Sequence, residues 1–370
     1  MYNCIRSMKK VLVVFNHPAP YKVRLFNELS KKFDLHVIFE RKSSKERQKA
    51  FYFENKYEFN THNIKGIPLG KENFLSNGIV KHLKRNKYDL IIMNGYSTFA
   101  EMKAINYLKR KNIEYLFYIN GGLIPNKECK LKQKIKTHFI KGASAYLSPD
   151  QISNEYLIHY GADKNKIFNY PYSTIYESEI VETKPNKNEL KEKYEINYEH
   201  FFVSSGQLIK RKNYLNLVEK WGKLPENYGL FIFGEGKQHK QIQDLIATKN
   251  IKNVVLKGFV PRQEMFKYFS AAEAFIFASH EDIYGHVINE ALSQGIPVIS
   301  SMNVNSAMKL IEKDKNGILL ENIETESIYN ALNKLLAIDS FDACISKAKE
   351  NTIEKMAEKH VELFERILNQ

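Results

Sequence analysis

Cysteine is scarce in this 370-residue chain, and long apolar runs are missing from it. Cys4, Cys129 and Cys344 are far apart and odd in number, which excludes a disulfide framework and a four-thiolate zinc site. The longest apolar runs, such as residues 11–15, are far shorter than the ~20 residues that cross a bilayer. The apolar run after the basic start is also too short for a secretory signal. We therefore expect a cytoplasmic protein without a membrane-spanning segment.

Metal-binding patterns are missing as well. The chain has no Asp-x-Asp pair and no histidine and cysteine cluster with ligand spacing. We expect neither a catalytic metal nor another cofactor.

Positive charge is concentrated in the first half of the chain. Residues 1–170 contain 31 Lys and Arg against 14 Asp and Glu, a net +17, whereas residues 171–370 contain 25 against 28, a net −3. This asymmetry predicts that the first half meets an anionic partner, which could be nucleic acid, an acidic membrane surface or a phosphorylated substrate.

Short apolar runs alternate with segments of helical spacing in both halves, as expected for two doubly wound α/β domains with buried parallel sheets. A proline-containing stretch near Pro171 favours domains at residues 1–172 and 173–349. The last residues, about 350–370, read as a helix that can pack back on the first domain. Because ligands bind beyond the carboxyl ends of parallel strands, we expect the function in a cleft where two such edges face each other. The predicted strands are residues 11–15, 35–39, 90–93, 115–119, 145–147, 201–205, 230–234, 253–258, 274–278 and 297–300.

The most specific segment is residues 279–300, SHEDIYGHVINEALSQGIPVIS. It reads as a strand end, a polar turn, a helix from about Gly285 to Gly295, and a further strand. Backbone amides at the start of this helix would be unpaired and could bind a pyrophosphate. The amides in question belong to Tyr284, Gly285, His286 and Val287.

Glu290 lies inside this predicted helix among apolar residues. A carboxylate there needs partners, and a pair of sugar hydroxyls would satisfy it. The alternative is that Glu290 faces solvent or forms a routine salt bridge.

These residues resemble the signature of the retaining glycosyltransferases of family 4, which have the two-domain GT-B fold. That signature is an acidic residue, seven others and Glu-Ala, and Asp282 and Glu290-Ala291 match it. The resemblance implies that Asp282 holds hydroxyls of the transferred sugar and that Glu290 holds the ribose diol of a nucleotide. The first acid is Asp rather than the usual Glu, so the neighbouring Glu281 is an alternative.

Residues 204–221, SSGQLIKRKNYLNLVEKW, resemble the family's Gly-Arg-Leu run that ends in a Lys. Gly206 and Lys212 match that run, whereas Gln207 stands where Arg is usual. Arg211 could supply the missing charge or belong to a solvated loop. Cations are needed here because the diphosphate leaving group gains charge in the transition state. By resemblance, Asp282, Glu290 and Lys212 are the predicted catalytic residues.

Further loops complete the predicted sites. Gly234 follows one strand of the second half, and Phe259 and Val260 follow the next, where the family places the nucleotide base. In the first half, the loop containing His17 and Tyr21 and the strand end at Asn120 and Gly121 resemble the family's acceptor side. Many relatives carry a His where this chain has Asn120, which can hydrogen-bond a hydroxyl but cannot act as a general base.

Residues 126–143 predict a basic amphipathic helix with Leu131, Ile135 and Phe139 on one stripe. One interpretation is docking on an anionic membrane surface. The other is an ordinary domain helix whose lysines face water. The lysines in question are Lys130, Lys132, Lys134 and Lys136.

Together, the patterns and the resemblance predict a metal-independent, retaining glycosyltransferase, peripheral on the cytoplasmic side of a membrane. Its donor would be a nucleotide sugar such as a UDP- or GDP-sugar, and its acceptor a glycan or polyprenyl-linked glycan in bacterial surface polysaccharide assembly. One alternative is a GT-B-fold sugar-nucleotide epimerase or hydrolase. Another is a nucleic-acid-binding protein that uses the basic half, although this leaves the segment from Asp282 to Pro297 unexplained.

Overall fold

The computed structural model describes residues 8–43, 56–69, 73–125 and 127–369. The chain divides into two compact units. The first unit comprises Met1–Tyr172 together with Ile353–Gln370, and the second comprises Ser173–Thr352.

The first unit is built on a seven-stranded parallel sheet of order β3-β2-β1-β6-β7-β8-β9. Every residue of β6 and β8 is buried, as expected for strands covered on both faces. A separate antiparallel pair, β4 and β5, precedes the second helix. The strands are β1 (Lys10–Phe15), β2 (Asp34–Phe39), β3 (Asn60–Asn63), β4 (Ile67–Leu69), β5 (Asn73–Leu75), β6 (Leu90–Met93), β7 (Leu116–Tyr118), β8 (Ala145–Ser148) and β9 (Ile167–Asn169).

Helices connect these strands and bury their apolar stripes against the sheet. Helix α3 begins with a capping box in which Thr98 and Glu101 bond each other's backbone amides. Helix α14 comes from the end of the chain and packs on α1, with the rings of Phe33 and Phe364 5.8 Å apart. The helices are α1 (Pro20–Ser30), α2 (Gly78–Arg85), α3 (Phe99–Arg110), α4 (Lys130–Ile140), α5 (Gln151–His159) and α14 (Ile353–Leu368).

The second unit has a six-stranded parallel sheet of order β12-β11-β10-β13-β14-β15. In chain order this is 3-2-1-4-5-6, the order of the Rossmann fold. The strands are β10 (His200–Ser205), β11 (Tyr228–Phe233), β12 (Val254–Gly258), β13 (Ala274–Phe277), β14 (Val298–Ser301) and β15 (Gly317–Leu320). The helices are α6 (Lys187–Lys193), α7 (Tyr214–Trp221), α8 (His239–Thr248), α9 (Arg262–Ala271), α10 (Val287–Ser293), α11 (Asn305–Leu310), α12 (Thr325–Leu336) and α13 (Phe341–Lys349).

The doubly wound α/β prediction is confirmed in both units, with strand bounds that differ from the predicted ones by a residue or two. The end of the chain contains two helices, whereas one helix is expected there, at about residues 350–370. It forms α13 in the second unit and α14 in the first, separated at Asn351 and Thr352. Within the described ranges, no helix is both long and apolar enough to span a bilayer.

Candidate functional site

The predicted donor residues follow β10, β11, β12 and β13, and therefore lie at the carboxyl edge of the second sheet. Strands β10 and β13 are neighbours in the sheet although they are not consecutive in the chain. The connections leave this point in opposite directions, which opens a crevice between the strand ends. The His280 amide donates to the Arg211 carbonyl at 2.9 Å and ties together the loops on either side of the crevice.

Glycines allow the loops after β10, β11 and β12 to touch. Gly234 has φ +128°, and a Cβ there would lie 2.0 Å from the Gly206 carbonyl oxygen. The Gly234 amide donates to the Gly258 carbonyl at 2.7 Å, and the Gly206 amide donates to the Phe233 carbonyl at 3.0 Å. A side chain at position 234 would therefore push the first two loops apart.

A buried charge cluster occupies this edge. Lys212 donates a hydrogen bond to the Asp282 carboxylate, and Arg211 Nη1 lies 3.2 Å from Asp282 Oδ2. Arg211 also donates to the Glu281 carbonyl at 2.9 Å. The side chains of Lys212 and Asp282 are only 10% and 14% exposed, so their attraction is screened less than that of a surface pair.

The neighbours of Asp282 set its protonation state. Burial raises its pKa, but the charge and hydrogen bond of Lys212, the charge of Arg211 and the Tyr284 amide together hold the pKa below its ordinary value. Asp282 is therefore ionised at neutral pH. Of the two acidic candidates, Asp282 joins the cluster, whereas Glu281 is exposed.

The segment after Asp282 differs from expectation in two details. Helix α10 begins at Val287, with His286 as its N-cap, rather than near Gly285. The Tyr284 amide is not unpaired, because it donates to Asp282 Oδ1 at 3.3 Å. Gly285 has φ +91°, and a Cβ there would lie 2.8 Å from the Val304 side chain, so the turn has no room for a larger residue.

Glu290 is buried inside α10 and has protein partners. Its Oε1 accepts a hydrogen bond from Thr174 Oγ1 at 2.9 Å and lies 3.4 Å from Arg262 Nε. Arg262 is held in turn by Glu179, whose Oε1 accepts from Nη1 at 3.1 Å. This is the salt-bridged alternative raised from the sequence, and both contacts fall on one carboxylate oxygen.

The loop after β12 leads to Arg262. Phe259 is 44% exposed although its side chain is large and apolar. Val260 is half-buried and packs against the core of the unit. Gln207 is half-buried beside Gly206, and its carbonyl accepts from the Ile209 amide at 2.9 Å.

The predicted acceptor-side residues lie at the carboxyl edge of the first sheet. His17 and Tyr21 follow β1, and Asn120 and Gly121 follow β7, with β6 between those strands. Asn120 Nδ2 donates to Asn94 Oδ1 at 3.2 Å, and the buried Asn120 Oδ1 has no hydrogen-bond partner among the described residues. Tyr21 packs its ring 5.8 Å from that of Tyr172.

Sequence reasoning missed Thr174, Arg262 and Asn94. Asn94 could have been found, because it follows the apolar run of β6 as Asn120 follows β7. The other two carry no local signal, since Thr174 is 116 positions from Glu290 along the chain.

Helix α4 differs from a regular amphipathic domain helix. Phe139 is buried, but Leu131 and Ile135 are 68% and 41% exposed. Lys136 is only partly exposed, unlike the neighbouring lysines. It forms an ion pair with Glu128 at 2.6 Å and donates a hydrogen bond to Tyr160 at 3.0 Å. The exposed lysines of this helix are Lys130, Lys132 and Lys134.

Groups of His, Cys, Asp and Glu that could hold a metal ion do not occur in the described part of the chain. Cys129 is exposed and Cys344 is buried, and both are free thiols.

Known proteins similar to this chain include glycosyltransferases. The family described as glycosyl transferases group 1 matches residues 186–355. An uncharacterized 41.2 kDa protein in the cps region of Klebsiella pneumoniae is 30% identical over 259 residues, which cover 65% of this chain and 68% of that protein.

Two further similarities bear on the fold and the family. A Campylobacter jejuni enzyme, N-acetylgalactosamine-N,N'-diacetylbacillosaminyl-diphospho-undecaprenol 4-alpha-N-acetylgalactosaminyltransferase, is 30% identical over 151 residues. That match covers 40% of this chain and only 41% of the enzyme. The crystal structure of Anabaena HepE in complex with UDP superposes with a TM-score of 0.78 at 15% identity, covering 96% of this chain and 100% of that one.

The sheet orders, the sequence relatives and the superposition agree. The chain has the GT-B fold and belongs to the glycosyl transferases group 1 family.

Proposed function

We propose that this protein is a retaining glycosyltransferase that moves a sugar from a nucleotide-sugar donor to a glycan or lipid-linked glycan. The process would be the assembly of a bacterial surface polysaccharide such as a capsule or O-antigen. The cluster of Arg211, Lys212 and Asp282 at the carboxyl edge of the second sheet is the observation that carries the proposal.

The cluster has the charges that donor chemistry requires. Breaking the bond between the sugar anomeric carbon and the diphosphate leaves negative charge on the departing phosphate oxygen, and Lys212 and Arg211 would stabilise that charge. The ionised Asp282 would accept hydrogen bonds from hydroxyls of the transferred sugar. Phe259 would lie along the base, and Oε2 of Glu290 would bind the ribose.

Retention follows if the acceptor attacks from the side that the diphosphate leaves. The acceptor oxygen forms the new bond to the anomeric carbon, and its proton passes to the departing phosphate oxygen. No protein nucleophile is required. We propose that His17, Tyr21, Asn120 and Gly121 contribute to acceptor binding. Asn120 Oδ1, which has no hydrogen-bond partner among the described residues, would accept a hydrogen bond from an acceptor hydroxyl.

The relatives support the substrate classes. The name of the Campylobacter enzyme describes transfer to a diphospho-undecaprenol-linked sugar, and the Klebsiella relative is encoded in a cps region. HepE was crystallised with UDP, so we propose a UDP-sugar as the first donor to try. We further propose that neither a metal nor another cofactor is needed.

Helix α4 supports the membrane part of the proposal. Leu131 and Ile135 are one helical turn apart, so their exposed side chains form a small apolar stripe flanked by lysines. Exposed aliphatic groups beside cations suit the interface of an anionic bilayer. We propose that α4 docks on the cytoplasmic face of the cell membrane through Lys130, Lys132 and Lys134.

Product analysis tests the activity. The purified protein is incubated with UDP- or GDP-sugars in EDTA, with and without a short-chain polyprenyl diphosphate sugar, and the products are examined by mass spectrometry and proton NMR. We expect a new glycoside whose anomeric configuration equals that of the donor. Inversion would contradict the mechanism, a requirement for added metal would contradict metal independence, and isomerised or hydrolysed donor without acceptor would favour the epimerase or hydrolase.

A further inference from the structure

We propose that a basic groove on the first unit binds the phosphate groups of anionic phospholipids in a bilayer. The proposal rests on the proposed membrane docking of α4 and extends it to α2 and α3. The groove consists of two cavities of about 720 and 460 Å³ that share Lys109 and His138 as lining residues. Its other main cations are Lys81, Lys84, Arg110 and Lys134.

The charged side chains that line the groove are positive. Neither cavity is lined by an Asp or Glu among the described residues. Lys81, Lys84, Arg110 and Lys134 are exposed. None of these four forms an ion pair within the described chain, so their charges are available to an anion.

Lys109 has a different role from its neighbours. Its ammonium group donates to the carbonyls of His138 and Lys141, the latter at 2.7 Å, and thereby caps the end of α4. Burial lowers its pKa. Lys109 therefore holds α3 and α4 together and is left unchanged in the test below.

The groove lies away from the predicted acceptor residues of the same unit. A helix that connects parallel strands runs back against their direction, so its last turn lies at the amino edge of the sheet. Lys109 and Arg110 are in the last turn of α3, and His138 is in the last turn of α4. Asn120 lies at the opposite, carboxyl edge, so the groove is not the acceptor subsite.

The chemistry of the surface favours a bilayer over nucleic acid. Single-stranded nucleic acid needs aromatic platforms for its bases. Among the described residues that line the groove, His138 has the only aromatic ring. The groove is instead continuous through Lys134 with the exposed Leu131 and Ile135 of α4. Cations flanking aliphatic side chains match headgroup phosphates above acyl chains.

Vesicle sedimentation with the full chain tests the groove. The variant K81Q/K84Q/R110Q is compared with wild type and with K32Q/K164Q/K166Q, which removes three exposed lysines elsewhere in the same unit. The vesicles are phosphatidylcholine alone or with about one third phosphatidylglycerol. Each cation near the surface is worth about 5-fold in affinity, so the groove variant should bind anionic vesicles on the order of 100-fold more weakly. The control should change by less than about 5-fold.

Further arms separate the possible failures. Equal losses of affinity for anionic vesicles in both triple variants would overturn the proposal, because overall charge and not the groove would then determine binding. An unchanged groove variant, with wild type still bound to vesicles, would overturn the groove while leaving α4 docking intact. Tighter binding to a single-stranded RNA oligomer than to anionic vesicles would overturn the bilayer as the occupant. Binding of millimolar pyrophosphate by a protein that does not bind vesicles would overturn it as well. UDP-induced stabilisation, measured on each variant, shows whether the donor site is intact independently of the groove.

Discussion

At the scale of single residues, Lys212 and Asp282 depend on each other. Lys212 is nine-tenths buried, and its charge keeps the pKa of Asp282 low against the effect of burial. Removing Lys212 therefore takes away a cation from the leaving group. Among the described residues, it leaves Arg211 as the remaining ionic partner of the largely buried Asp282 carboxylate. A role in catalysis and a role in local electrostatics are inseparable here.

We predict that K212A lowers kcat by about 30- to 1000-fold, equivalent to about 2–4 kcal/mol of transition-state stabilisation. It should also raise the pKa of Asp282, which moves the acidic limb of the pH–rate profile upward. K210A is the matched control, because Lys210 is the exposed neighbour in the same turn. Steady-state kinetics across pH provide the measurement, and wild-type turnover in K212A would contradict the assignment.

Arg262 acts through Glu290, so we treat it as a positioning residue. We predict that R262Q raises the donor KM by about 10-fold with little change in kcat, because Glu290 loses its ionic partner and Oε1 is then held by Thr174 alone among the described residues. Q263A, an exposed neighbour, is the control. If Glu290 binds the ribose, R262Q should also narrow the affinity difference between UDP and its 2′,3′-dideoxy analogue. An unchanged KM and an unchanged difference would show that the ion pair is only structural.

At the scale of elements, Gly295 determines how α10 meets α13. It has φ +73°, and a Cβ would lie 2.4 Å from the ring of Phe341. We predict that G295A destabilises the second unit by about 2–4 kcal/mol, from backbone strain and overpacking together. Fluorescence of the sole tryptophan, the fully buried Trp221, reports unfolding of this unit.

A second substitution separates the two contributions. In an F341L background, the penalty of G295A should fall toward the roughly 1 kcal/mol expected from the positive φ alone. An undiminished penalty in that background would place the whole effect in the backbone.

Helix α14 carries a buried histidine. Burial, outweighing a backbone hydrogen bond to Met356, lowers the pKa of His360 to about 3. The unfolded chain, with an ordinary pKa near 6.5, then binds more protons than the folded one between these values, so the stability of the first unit should fall as pH drops below 6.5. At pH 5 the loss from this residue should be on the order of 2 kcal/mol.

We predict that H360F, which keeps an aromatic ring beside Tyr118 and Phe364, removes this acid sensitivity. Hydrogen exchange in α14 and α1 at pH 7 and pH 5 is the measurement, with Trp221 fluorescence as the internal reference for the second unit. Equal acid-induced loosening in H360F and wild type would contradict the role of His360.

The sequence predicts secondary-structure elements well where burial of a strand requires a run of apolar residues. Strand β6 and the first three residues of β8 are apolar, and both strands are predicted. Strand β3, with the sequence NTHN, has no apolar residue and is not predicted. The charged cluster could be anticipated because Lys212 and Asp282 each follow a strand. The partners of Glu290 could not, since only the folded chain brings Thr174 and Arg262 to it.

At the scale of the whole molecule, two units of the same architecture carry opposite electrostatic characters. The basic half contains α4 and the groove, and the slightly acidic half contains the proposed donor site. This division matches a protein in which one unit meets an anionic surface and the other binds a small substrate through a few local cations. The fold provides the same strand edge in both units, and the side chains placed there give each its role.

The measurement that tests the proposed donor site most directly is thermal unfolding with UDP, GDP, CMP and ADP in EDTA, for wild type, K210A and K212A. At about 100 times its dissociation constant, a nucleotide should add about 2.7 kcal/mol and raise the unfolding midpoint by several degrees. The proposed donor site predicts such a shift with one nucleotide in wild type and K210A, and a much smaller one in K212A. No shift with any nucleotide, or an equal shift in K212A, would contradict it.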